Sequence, residues 1–140
     1  MHFIESGVGP PLVLLHAFPL DARMWNGARA LLEEQAKVIT PDQRGLGESP
    51  LSGKTGSDVE GQSQPPSMDV VAADVLALLD VVGAQQAVLG GCSMGGYAAM
   101  AVLRAAPERV AGLLLVDTKA DADGEEQRKN RLEGAQRAER

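Results

Sequence analysis

Ser93 stands between Gly91 and Gly95, two residues to either side, where the apolar run Ala87-Val88-Leu89-Gly90 breaks. The spacing has a chemical reading. A serine hydroxyl is a poor nucleophile unless it is held out of a sheet, near a base and near donors that stabilise an oxyanion. A sharp strand-to-helix turn holds it that way, with the serine in a strained backbone conformation at the apex. Side chains at i−2 and i+2 would strike the neighbouring strands, so glycine is expected at both. Cys92, one residue before the serine, is expected to point away from the site and reads as a core residue.

The elements needed to position such a serine are present in order. A β-branched and leucine run precedes it, and Tyr97 to Ala106, a strong helix former rich in small residues, follows. Upstream, Leu12-Val13-Leu14-Leu15 is a short apolar strand that runs into His16-Ala17-Phe18-Pro19-Leu20-Asp21. An amphipathic helix is predicted next, with Met24, Trp25, Ala28, Leu31 and Leu32 on one face. Lys37 to Pro41 is strand-like and leads into the turn Asp42-Gln43-Arg44-Gly45-Leu46-Gly47-Glu48-Ser49. Met1 to Ser6 reads as an N-terminal hairpin strand closed by Gly7 to Pro11, and Pro50 to Ser67 as a surface loop. A helix is predicted from Ser67 or Asp69, with Val71, Val75, Leu78, Leu79 and Val82 on one face and Gly83 as its stop. The alternation of strands and helices argues for a mostly parallel sheet with helices on both faces.

These three blocks, in this order, resemble the α/β-hydrolase superfamily, in the branch of cofactor-free haloperoxidase-like esterases and enol-lactonases. The resemblance implies a serine hydrolase acting on a small carboxylic ester, thioester or lactone through an acyl-enzyme, with Ser93 as nucleophile. It implies that the backbone N–H groups of Phe18 and Met94 form the oxyanion hole, that His16 buttresses the loop after the early strand, and that Asp42 and Arg44 shape a turn at the same end of the sheet. Ala17 stands where the family usually carries glycine.

The resemblance also implies a domain nearly twice the length of these 140 residues, with an acid and then a histidine after the nucleophile. The two histidines, His2 and His16, both precede Ser93. Residues 1–118 are therefore expected to be the N-terminal part of a hydrolase core that lacks its C-terminal strands. Ala111 to Asp117 reads as the next buried parallel strand, and Asp117 is either the triad acid or a loop cap. Residues 119–140 are expected to begin a helical cap, as a solvated helix with Glu125–Lys129 and Glu133–Arg137 at i,i+4 spacing. The expected chain is nearly inactive alone. The alternative is a non-catalytic product or interaction module that self-associates through its exposed sheet edge.

Composition narrows the remaining classes. A net charge of −6 without a basic cluster argues against nucleic acid and anionic membranes as partners. No apolar run approaches the about 20 residues that span a bilayer. The start lacks a secretory pattern, so a cytoplasmic location is the default. The single cysteine excludes an internal disulfide, and the histidines and cysteine show no metal-ligand spacing. No cofactor is implied, and the glycine-rich turns match no phosphate or dinucleotide loop.

Overall fold

A computed structural model describes residues 1–51 and 67–138. The loop expected over 50–67 thus falls almost wholly outside the described residues. Five strands, β1 (Phe3–Ser6), β2 (Pro11–Leu15), β3 (Lys37–Pro41), β4 (Ala87–Cys92) and β5 (Val110–Val116), form one sheet in the order β1-β3-β2-β4-β5. β1 runs antiparallel to β3, and the other pairs are parallel. The helices are α1 (Asn26–Leu32), α2 (Met68–Val81), α3 (Met94–Ala105) and α4 (Glu125–Ala138).

The sheet is covered unequally. On one face Val13, Leu15, Ile39 and Leu89 pack against Ala72, Val75 and Leu79 of α2 and Ala98, Ala99 and Val102 of α3. Alanines at the α3 contact let its backbone lie close to the strands. The other face carries a smaller cluster of Leu12, Leu14 and Val38 against Trp25 and Ala36. α2 buries Ala72, Val75, Leu78 and Leu79, so its inward stripe is shifted slightly from the expected one. Val71 and Val82 lie at its margins. Gly83, at φ 70°, ends the helix as expected.

Several expectations need correction. The segment after Asp21 is not one amphipathic helix: Ala22–Trp25 winds as a 3-10 turn before α1 begins. Three residues per turn instead of 3.6 rotate the phase, and Leu31 and Leu32 end up exposed, Leu31 at 77%. Met1 to Ser6 does not form a hairpin with the strand that follows it, because β1 crosses to pair with β3. Gly7 and Gly9 permit this crossing, since a Cβ at Gly7 would lie 2.3 Å from the Ala36 carbonyl oxygen and one at Gly9 would lie 2.9 Å from that of Gln35. β5 is parallel as expected but lies at the sheet edge, where Leu114, Leu115 and Val116 are each 47% exposed. In α4, Glu133 pairs with both Lys129 and Arg137, and Asp123 pairs with Lys119 and Arg131.

Candidate active site

Ser93 follows the last residue of β4 and caps α3 with φ 49° and ψ −112°, a conformation that costs an L-residue energy and is kept only where its surroundings impose it. Four neighbours impose it. The Ser93 N–H donates to the Val116 carbonyl at 3.0 Å, and its carbonyl accepts from Gly96 N at 3.0 Å, Tyr97 N at 3.4 Å and Thr118 Oγ1 at 2.9 Å.

The glycines around it are demanded by close approach. A Cβ on Gly95 would lie 2.1 Å from the Leu15 carbonyl oxygen and 2.9 Å from that of His16, so the start of α3 rests directly on the end of β2. The reason for Gly91 differs from the expected one. Its Cβ would strike the backbone of Gly95 and Gly96 at 2.2 to 2.4 Å, so it makes room for the helix that follows and not for a neighbouring strand. Gly96 carries a demand that local spacing does not reveal, for its Cβ would lie 2.5 Å from two atoms of Thr118. Cys92 is half-buried and not in the core, because the sheet face it shares with Leu114 and Val116 has no helix over β4 and β5 among the described residues.

The same contact that explains Gly95 brings the loop after β2 beside the serine. In the sheet, Leu15 pairs with Gly91. His16 follows, fully buried, with Nδ1 3.0 Å from the Ala17 carbonyl and Nε2 accepting from Gln43 N–H at 2.8 Å. With Nε2 accepting and Nδ1 facing the Ala17 carbonyl, the two ring nitrogens are both committed. Gln43 Nε2 donates to the His16 carbonyl at 2.6 Å. The Ala17 carbonyl also accepts from Leu20 N at 2.9 Å, so the peptide carrying the Phe18 N–H is held from its oxygen end. The Phe18 side chain itself is 67% exposed.

Behind this loop, Asp42 gathers three partners: Ala22 N–H at 2.7 Å, Glu48 N–H at 2.9 Å and His2 Nδ1 at 2.8 Å. Burial pushes its pKa up, but the bonds from Glu48, Ala22 and His2 outweigh that and hold the carboxyl below the usual range. Gly47 is pressed against this carboxylate, where a Cβ would lie 2.3 Å from its carbon. Arg44 makes a two-pronged pair with Asp74 of α2, both bonds at 2.8 Å. His2 is thereby engaged with Asp42 just past the C-terminal end of β3, two strands away from β4 and Ser93. Asp117 follows β5, exposed, at φ 44°.

The strand, strained serine and helix, set beside a pinned loop at the end of a parallel strand, are matched by a family model described as the alpha/beta hydrolase fold over residues 10–138. The chain belongs to the α/β-hydrolase family. A non-heme chloroperoxidase of Streptomyces lividans is 39% identical over 110 residues, which cover 77% of this chain and 36% of that protein. The dihydrolipoyllysine-residue acetyltransferase component of an acetoin cleaving system from Pseudomonas putida is 37% identical over 108 residues, 77% of this chain and 26% of its own length. Among solved α/β-hydrolase structures, a thermophilic esterase from Thermogutta terrifontis superposes with a TM-score of 0.85 at 39% identity, covering 99% of this chain and 48% of the esterase. The chain thus spans between about a quarter and a half of the length of these relatives.

Proposed function

We propose that Ser93 is the nucleophile of a hydrolase acting on small carboxylic esters, thioesters or lactones. The carrying observation is the strained Ser93 at the start of α3, with Gly95 seated on the end of β2. In this reading the Ser93 hydroxyl attacks the acyl carbon and gives its proton to a base, which passes it to the alcohol or thiol as the carbon–oxygen or carbon–sulfur bond breaks, and water then hydrolyses the acyl-enzyme. The amides of Phe18 and Met94 receive the oxyanion. Met94 N–H is the first amide of α3, unpaired within the helix and at the positive end of its dipole.

The base is assigned to a histidine outside these 140 residues, because both nitrogens of His16 are committed and His2 is bound to Asp42. The substrate reading is supported by the esterase among the similar structures. The chain alone is accordingly proposed to be nearly inactive, since binding and oxyanion stabilisation leave only a residual rate without base and acid. Turnover of p-nitrophenyl acetate by wild type and Ser93→Ala tests this. Little or no turnover supports the reading, whereas brisk turnover abolished in Ser93→Ala shows a base within this sequence. A second reading, a non-catalytic interaction module, is favoured by the half-exposed leucines of β5.

A further inference from the structure

Thr118 lies two residues beyond β5 and donates from Oγ1 to the Ser93 carbonyl at 2.9 Å. Its approach depends on Gly96, because a Cβ there would lie 2.5 Å from both Thr118 Cγ2 and Oγ1. The bond is not needed to satisfy the carbonyl, which already accepts from Gly96 N and Tyr97 N. What it adds is direction. The carbonyl belongs to the peptide that joins Ser93 to Met94, and in a planar trans peptide C=O and N–H point oppositely, so whatever pins the oxygen also aims the Met94 N–H. A hydrogen bond to the amide oxygen also polarises the peptide and strengthens its N–H as a donor. With the Ser93 N–H bound to Val116, the end of β5 grips the strained residue on both sides.

We propose that Thr118 is a positioning residue, whose hydroxyl acts through the Ser93 carbonyl to aim and polarise the Met94 amide toward an oxyanion. Thr118 itself touches no substrate. The proposal rests on the reading of Ser93 as nucleophile, and it assigns a role that neither the glycine spacing nor the strand-turn-helix pattern points to.

Two readouts on the 140-residue chain test it. The first is the 1H–15N shift of the Met94 amide. The second is the second-order rate at which p-nitrophenyl diethyl phosphate phosphorylates Ser93: Oγ bonds to phosphorus, p-nitrophenolate leaves and is counted, and the serine proton passes to solvent. Thr118→Val keeps the shape and deletes the donor, and Thr118→Ser restores the donor. The Met94 resonance is expected to move in Thr118→Val and return in Thr118→Ser, and labelling is expected to fall about tenfold in the first and recover to within about threefold in the second. If Thr118→Val does not fold, Thr118→Ala makes the same comparison with less bulk. Wild type labelled at Ser93, with Thr118→Val equally fast and its Met94 amide unmoved, overturns the proposal while the nucleophile reading stands. If Ser93→Ala is labelled as fast as wild type, the nucleophile reading fails; if wild type is labelled too slowly to count, as follows from a chain without its base, that reading stands. The amide shift then decides alone whether Thr118 positions the peptide, and an unmoved resonance refutes it.

Discussion

Gln43 and His16 hold each other in both directions: the Gln43 backbone N–H donates to His16 Nε2 at 2.8 Å, and the Gln43 side chain donates to the His16 carbonyl at 2.6 Å. Both residues are buried. The clasp joins the turn after β3 to the loop after β2, one residue before the Ala17–Phe18 peptide. Gln43→Leu leaves the His16 carbonyl buried without that donor. The expected cost is about 1 to 3 kcal/mol in urea unfolding. Gln43→Glu, which loses the donor and adds a charge, is expected to cost more. A variant as stable as wild type would show that the side-chain arm of the clasp contributes nothing.

The glycines of the elbow are expected to behave unlike those elsewhere. Gly95→Ala would drive a methyl group into the Leu15 carbonyl, and Gly91→Ala would drive one into the backbone of Gly95 and Gly96. Each is expected to lose about 3 kcal/mol or to fail to fold. Gly27, by contrast, sits in α1 with nothing within 4 Å of its Cβ direction. Gly27→Ala is expected to gain about 0.5 to 1 kcal/mol, through a less disordered unfolded chain and better helix propensity. Thermal melts of the three variants check the contrast.

Acid stability is expected to depend on Asp42. Its folded pKa lies below the unfolded value of about 3.9 because the N–H groups of Glu48 and Ala22 and the His2 ring outweigh the effect of burial. The stabilisation is therefore present above the unfolded pKa and is lost as pH falls through the folded pKa. Asp42→Asn is expected to be less stable at neutral pH and to show a shallower loss of stability between pH 4 and pH 2. Equal slopes for wild type and variant would place the acid sensitivity elsewhere.

At the sheet edge, Leu114, Leu115 and Val116 offer about half their surfaces to solvent, on the side of β5 that pairs with no strand among the described residues. Binding of a hydrophobic dye and concentration-dependent association are the expected behaviours of such an edge. Leu115→Lys is expected to reduce both. A wild-type chain that stays monomeric and binds no dye would argue against an adhesive edge.

The parts legible in the sequence are those whose causes are local or whose pattern is known. Gly91, Ser93 and Gly95 could be read together as one spacing, although only Gly91 has a local cause, the backbone of Gly95 and Gly96, while Gly95 is demanded by the distant Leu15 carbonyl; His16 could be read as a buttress because its block resembles a known one. Gly96 could not, since its reason is Thr118, and nothing in the spacing of either residue points to the other. Leu31 and Leu32 fit a helical stripe, but the 3-10 turn at Ala22–Trp25 changes the phase before they are reached. β1 passes its neighbour in sequence to pair with β3, a choice made by tertiary packing around Gly7 and Gly9. Cys92 is left half-buried by what does not lie over it, which no pattern within the strand conveys.

The grip of Val116 and Thr118 on Ser93 also bears on the order in which the chain can acquire its shape during synthesis. The clasp between His16 and Gln43 closes a loop of 27 residues and can form as soon as the turn after β3 has left the ribosome. The conformation of Ser93 is different, because it is unfavourable on its own and the residues that offset its strain are translated 23 and 25 positions later. A nascent chain that ends between residues 93 and 116 therefore lacks the residues that hold this conformation, and its serine is still free to relax.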